Sequence, residues 1–521
     1  MKVLTAQEAV ALIKNGAAVG IGGFGGWSGP DVLMREMARQ FDETNSPRDL
    51  TIVAGVAPGD LKEDGWGLSA LRAPGIIDTI IAAHIGMPPA IGSAVGTNQI
   101  AGYTIPLGVY GHLLRAMAGN KPGVLTHVGL HTFADPRQEG CRANQRAKDQ
   151  GREIVTLVQV DGREYLFYKT FPIDICLLRA TYADEDGNIS AEEEALISEQ
   201  LEMATAVHNQ GGIVIVQVRD IVQRGSLHAR NVLIHHKFVD YVVKADPAEH
   251  PQGYDFPDWF RPQLNGGLRV PASALPVMPL TPRKVIGRRG AMELTAGALI
   301  NLGIGMPDGV ASVANEEGLA AQTTLAIEGG TIGGVPVGGV GLGACTNPEA
   351  IYHITDNFDM YDGGGLDMAF LGLAELDAAG NVNVSKFGTR CTGPGGFINI
   401  SQNTKKICFM GTFTAGKMDV RVEDGQLHIY RDGSGIKFRK QVQQVTFSAR
   451  YAMETGQTVL YITDRAVFVL TEHGLLLTEI APGVDLQRDI LDKMEFAPMI
   501  ASELKRMDPR LFRAEKMGLH F

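Results

Sequence analysis

The sequence predicts an α/β protein made of two similar halves, on three observations. Apolar runs with strand character alternate with helical segments along almost the whole chain. A Pro- and Gly-rich stretch interrupts that alternation near the middle. Two motifs of the first part then return, in the same order, in the second.

In chain order, MKVLTAQEAVALIKNG has one early Lys, an acid at Glu8 and no long apolar core, so it reads as an amphipathic helix rather than a signal peptide. VGIGGF (19–24), LTIVAGV (50–56), IIDTIIAAHI (76–85), GGIVIVQV (211–218) and FVDYVVKA (238–245) read as strands. From about 246 to 282 the chain is rich in Pro, Gly and aromatic residues without a steady period, the mark of a connection. The expected organisation is a first domain over 1–250, a linker over 251–282 and a second domain over 283–521. GWSGPDVLMREM (26–37) is echoed by GIGMPDGVASVA (303–314), each a Gly-rich turn, Pro-Asp and a helix. LLRATYADEDGNIS (177–190) is echoed by FLGLAELDAAGNVNVS (370–385), each a strand, an acidic turn and Gly-Asn. Duplication explains both echoes, and chance likeness of Gly-rich turns is the alternative.

With 521 residues, 45% hydrophobic and 20% charged, the chain is globular and long enough for at least two full cores. A net charge of -11 argues against a nucleic-acid surface, so an anionic ligand would be held by local groups and backbone amides. The five cysteines form no C-x-x-C pair and are odd in number, which gives neither a zinc site nor a disulfide framework and fits a reducing compartment. No apolar run approaches the roughly 20 residues of a membrane span. The expectation is a cytoplasmic protein with no membrane and no nucleic-acid partner, and no metal.

Several motifs read as ordinary structure. GTFTAGKM (411–418) nearly fits a phosphate-binding loop, but Met418 stands where a magnesium-binding hydroxyl is needed. GVGLGA (339–344) follows a glycine-rich loop rather than a strand, a weak dinucleotide signal. HVGLH (127–131) has i, i+4 histidines without an acidic partner, and His235 and His236 would face opposite sides of a strand.

The candidate site starts at LAIEGGTIGG (325–334), where an apolar strand ends in Glu328 and glycines. Strand ends facing a crevice are where open α/β sheets keep their chemistry, although a loop acid that merely follows a strand has the same sequence. Four Gly-rich turns, at 21–31, 302–309, 328–334 and 392–397, can present backbone amides to an anion, with tight turning as the alternative for any one of them.

In combination, IEGGTIGG around Glu328, GGFGGWSGPD, NLGIGMPDG, GNVNVSKFG (380–388) and GPGGFINIS (393–401) resemble the class I coenzyme A transferases, over nearly the whole chain. The likeness is to single-chain, short-chain acyl-CoA transferases of the acetate or propionate type. It implies two tandem, similar, open α/β domains with largely parallel sheets, and a catalytic glutamate at Glu328 in the second. It further implies CoA binding by Gly303, Ile304, Gly305 and Met306, and backbone donors at Gly396 and around Gly23, Phe24 and Gly25. Coenzyme A is then a substrate and covalent intermediate rather than a bound cofactor, the other partners are small carboxylates, and the enzyme is a homodimer or homotetramer.

A free Glu with a pKa near 4.3 is ionised at pH 7 and can attack a thioester without a general base. The expected course is ping-pong, through an acyl-glutamyl anhydride and a glutamyl-CoA thioester. Arg283, Lys284, Arg288, Arg289 and Lys386 are candidates for the CoA phosphates, with a solvated basic face as the alternative. Two positions depart from the family: Leu107 in IPLG (105–108), where Gln is frequent, and Trp27 in the first Gly-rich turn. If both line the acyl pocket, aliphatic acyl groups are preferred over oxo or hydroxy acids; both fit simple packing equally. A non-catalytic acyl-CoA-binding protein and an acyl-CoA hydrolase are the alternatives.

Overall fold

A computed structural model describes residues 2–256, 260–271, 277–303 and 305–521. Among the described residues, ten strands of the first half form one sheet. Its main path runs Lys2–Val3, Tyr241–Lys244, Ile213–Val222, Ile175–Asp184, Ala18–Ile21, Leu50–Val56, Ile77–His84, Ala101–Thr104, with every neighbouring pair parallel. Parallel strands need crossovers, and helices such as Asp31–Thr44 and Leu107–Ala118 supply them. The strands read as continuous Val/Ile/Ala runs because both faces are covered.

The second half builds another ten-stranded sheet. Its centre, Thr324–Ala326, Leu299–Leu302, Met368–Gly372, Lys406–Met410 and Thr458–Ile462, is parallel. An antiparallel hairpin, Ala466–Thr471 with Gly474–Ile480, extends one side.

Both sequence echoes are structural. Ala18–Ile21 and Leu299–Leu302 each lead through a Gly-rich turn into a helix, Asp31–Thr44 and Asp308–Glu317 respectively. Each of these strands also pairs in parallel with the strand that carries the second motif. There Asp184 accepts from the amides of Asp186, Gly187 and Asn188 and from Asn188 Nδ2, while Asp377 accepts from the amides of Ala379 and Asn381 and from Asn381 Nδ2. The glycines of the two turns have φ of 98° and 95°, a conformation that costs other residues strain.

The halves are tightly joined. Arg115 on Leu107–Ala118 reaches Asp356 at 2.7 Å and Asp359 at 2.8 Å on the helix Ile354–Asp362. One apolar cluster contains Phe24, Leu107, Phe358 and Phe397. Part of the Pro-rich connection packs on the first half: Phe256 stacks on Trp27 with ring centroids 5.4 Å apart, and Tyr254 on Trp66 at 5.5 Å.

Two local expectations are corrected. The N-terminal helix covers only Ala6–Val10, stopped before the Lys14-Asn15-Gly16 turn, with Lys2–Val3 drawn into the sheet. His235 and His236 do not oppose each other across a strand: the strand ends at Ile234, a 3-10 turn follows, and their rings lie 4.2 Å apart. No helix among the described residues is long and apolar enough to cross a membrane.

Candidate active site

The strand Thr324–Ala326 delivers Glu328 to the seam between the halves. A tight turn fixes it: the amide of Ile327 donates to the Thr331 carbonyl at 2.9 Å, that of Gly330 to Ile327 at 2.9 Å, and Asn357 Nδ2 donates to the Ile327 carbonyl at 3.1 Å. Gly330 has φ 99°, and a Cβ there would lie 2.2 Å from the Tyr352 carbonyl oxygen, so the turn requires glycine.

Opposite stands the loop 392–396, which belongs to the second half but hangs on the first. Ile85 donates to the Thr392 carbonyl at 2.7 Å, Gly395 to Ala83 at 3.0 Å, and Leu107 to Gly395 at 2.9 Å. So held, the Gly396 amide donates to Glu328 Oε2 at 2.8 Å. A Cβ on Gly396 would fall 2.3 Å from that oxygen, which leaves no room for another residue.

Around the carboxylate is a cavity of about 190 Å³. Its apolar wall includes Val56, Leu342, Leu371, Val384, Phe397 and Ile400; its polar side chains are Glu328, His84 and Asn301. Burial away from bulk water pushes the Glu328 carboxyl up to about 7, against the opposing pull of the Gly396 hydrogen bond. The expectation of full ionisation at pH 7 is therefore corrected: desolvation makes the group a stronger base than a free Glu, with its ionisation moved into the neutral range. Asn301 gives its amide hydrogens to the Ala326 carbonyl at 2.9 Å and the Tyr361 hydroxyl at 3.3 Å, and among the described residues its buried Oδ1 has no partner.

Of the residues expected at the site, Glu328, Gly396 and Gly303 converge. Ile304 lies outside the described residues. Gly305, with φ 89°, and Met306 form an accessible turn pinned by Arg283, which donates to the Gly305 carbonyl at 2.8 Å and pairs with Asp308. The first-half turn is close but differently employed. Gly23, at φ 116°, folds it onto Trp27 and Ser28, while the amides of Phe24 and Gly25 donate to the carbonyls of Trp27 and Val56, each at 3.0 Å. These two amides are thus not free donors, because Phe24 closes the turn and Gly25 ties it to the strand Leu50–Val56.

Trp27 and Leu107 are fully buried and neither lines the cavity, a correction to the acyl-pocket expectation. They act from behind it. Trp27 Nε1 donates to the Leu342 carbonyl at 2.9 Å, placing a cavity-wall residue, and the Leu107 amide holds Gly395. Of the five basic residues, Arg283 is exposed and the other four are engaged with partners inside the protein. Lys284 pairs with Glu316 at 2.7 Å, Arg288 caps carbonyls of Arg513 and Glu515 at 2.6 and 2.7 Å, and Arg289 holds Glu479 at 2.7 Å. Lys386 donates to the Ala143 carbonyl at 2.8 Å.

Sequence reasoning missed His84, Asn301 and the apolar wall. A signal existed for His84: it ends the apolar strand Ile77–His84 as Glu328 follows Thr324–Ala326, and the strand-end rule applies to both.

Comparison with known proteins bears directly on this geometry. The coenzyme A transferase family model matches residues 3–245. Caffeate CoA-transferase of Acetobacterium woodii is 45% identical over 99% of this chain and 98% of its own length. The chain belongs to the coenzyme A transferase family. Acetate CoA-transferase YdiF of Escherichia coli K12 is 42% identical over 99% of this chain and 96% of its own. The crystal structure of the Escherichia coli O157:H7 acyl-CoA transferase YdiF apoenzyme superposes with a TM-score of 0.94 at 41% identity, covering 100% of this chain and 97% of that one. The same enzyme described as a thioester complex with CoA gives 0.92, with the same identity and coverage. This CoA-transferase therefore shares its whole architecture with an enzyme seen carrying a CoA thioester.

Proposed function

We propose that this CoA-transferase moves CoA from a short-chain acyl-CoA to a carboxylate such as acetate, with Glu328 as nucleophile in a ping-pong cycle. The observation that carries the reading is a desolvated carboxylate, fixed by one backbone amide, facing a small cavity at the seam of the two halves. A carboxylate there attacks the thioester carbonyl carbon and expels CoA thiolate, leaving an acyl-glutamyl anhydride. The thiolate returns to the glutamyl carbonyl, the first carboxylate departs, and a glutamyl-CoA thioester remains for the acceptor acid. Raised basicity favours the first attack, and exclusion of water protects both activated intermediates from hydrolysis.

In this reading the CoA end enters past Gly303, which lines the cavity, and the accessible Gly305–Met306 turn beyond it. The acyl end meets Val56, Leu342, Leu371, Val384, Phe397 and Ile400, an aliphatic and aromatic surface without a cation or hydroxyl. Such a wall gives no partner to a 3-oxo group, so kcat/KM is expected to be higher for butyryl-CoA than for acetoacetyl-CoA. A preference for the oxo acid overturns that assignment.

The deciding experiment is the peptide mass of the protein after incubation with propionyl-CoA without acceptor, beside Glu328→Ala. A CoA adduct on the Glu328 peptide, discharged by acetate and absent from the variant, supports the transferase cycle. CoA bound with no adduct across several acyl-CoAs indicates a binding protein, and steady release of free acid without acceptor indicates a hydrolase.

A further inference from the structure

The proposed cycle places negative charge on the thioester oxygen when Glu328 attacks, and that oxygen needs a donor. The backbone around the cavity is largely committed. Gly396 donates to Glu328 itself, and the amides of Gly303, Gly393, Gly395 and Phe397 donate to the carbonyls of Phe370, Ser385, Ala83 and Pro394. Phe24 closes its own turn and Gly25 donates to the Val56 carbonyl. Of the polar side chains in the wall, Asn301 has spent both amide hydrogens.

His84 remains. Its Nδ1 accepts from the Gly86 amide at 3.3 Å, which in the neutral ring puts the proton on Nε2. Among the described residues Nε2 makes no hydrogen bond to the protein, and the side chain lines the cavity. Burial and the nearby Arg390 charge push the imidazole down to about 4, so the ring is neutral at pH 7. Its position is set against the nucleophile. A methyl carbon built on Gly395 would lie 3.7 Å from Glu328 Oε2 and 4.0 Å from His84 Cδ2, so both groups border the same small space.

We infer that His84 is a further catalytic residue, whose Nε2–H donates to the carbonyl oxygen of the bound acyl thioester and to the oxyanion formed as Glu328 attacks. This rests on the proposed transferase cycle. In the step, a Glu328 oxygen bonds to the carbonyl carbon and the carbonyl π pair moves onto the oxygen held by His84. When that pair returns, the C–S bond breaks and its electrons leave on CoA thiolate. No proton changes hands, so a ring that stays neutral is suited to the task. The first half thereby supplies an oxyanion donor through a side chain.

The test is single-turnover formation of the Glu328–CoA adduct from propionyl-CoA, followed by quenched mass analysis, in wild type, His84→Phe and His84→Gln. Gln keeps an N–H near the Nε2 position. Expected is adduct formation slowed about 100-fold in His84→Phe and within about tenfold of wild type in His84→Gln, with CoA affinity unchanged within about twofold in both. His84→Phe within about threefold of wild type, or His84→Gln as slow as His84→Phe, overturns the assignment. Failure of wild type to form any adduct overturns the transferase cycle itself, and this inference with it, before the variants are compared.

Discussion

The Gly396 amide holds Glu328 Oε2 at 2.8 Å, and through the bond from the Gly395 amide to the Ala83 carbonyl this carboxylate is referenced to the other half of the molecule. One charge-assisted hydrogen bond opposes the desolvation of the carboxylate without cancelling it. The result is an acid poised near neutrality rather than a strongly stabilised, unreactive carboxylate.

Activity should follow the ionisation of that group. Because attack requires the carboxylate and the free enzyme titrates at about 7, kcat/KM for acyl-CoA is expected to fall about tenfold per pH unit below that point and to level off above it. A pH profile of kcat/KM, flat from 5 to 8, contradicts the assignment of the nucleophile's environment.

The same shift has a stability consequence of opposite sign. The folded value of Glu328 lies above the ordinary 4.5, so the native state binds more protons than the unfolded chain between about 4.5 and about 7, and stability is lost as pH rises through that window. Glu328→Gln keeps an acceptor for Gly396 and removes the charge. It is expected to raise Tm over wild type at pH 8, by an effect on the order of 2 kcal/mol, with little difference at pH 5. Equal Tm differences at the two pH values refute this.

Trp27 should matter to the cavity wall rather than to acyl contact. Trp27→Phe removes the 2.9 Å donor to the buried Leu342 carbonyl and is expected to cost about 1–3 kcal/mol of stability. Leu342 is then less firmly placed, and discrimination between propionyl- and butyryl-CoA should weaken while adduct formation on Glu328 persists. Thermal melts and kcat/KM ratios check both.

The contact between the first Gly-rich turn and the loop 339–343 is steric. A Cβ at Gly26 would lie 2.3 Å from the Val340 carbonyl oxygen and 2.6 Å from Val340 Cγ1. Gly26→Ala must push the two apart, and kcat/KM is expected to drop at least about tenfold, because displacement of about 1 Å at a reacting centre carries large rate costs. Unchanged kinetics in a folded Gly26→Ala protein show that the seam tolerates movement.

Much of this was legible in the sequence because it depends on local signals. The run Leu50–Val56 has the bounds its apolar pattern suggested, and the Asp–Gly–Asn turns at Asp184 and Asp377 repeat because one side chain closes each turn with nearby amides. Glu328 stood out because an acid after an apolar strand, followed by glycines, is a local contradiction. His84 showed no such contradiction, since a histidine at a strand end is chemically unremarkable until its neighbours are known. The roles of Trp27 and Leu107 were misplaced for a related reason: sequence gives their bulk and polarity but not the direction in which a turn points them.

The sequence by itself determined the α/β class, the duplicated plan, the membership in a family and Glu328 as the candidate acid, all properties carried by periodicity or by short motifs. Only the tertiary structure decided the surroundings of that acid. Its raised pKa, its bond to the Gly396 amide and the His84 imidazole in the same cavity arise where segments distant in the chain meet. Desolvation and hydrogen-bond satisfaction are sums over such neighbours, and no local window of sequence contains them.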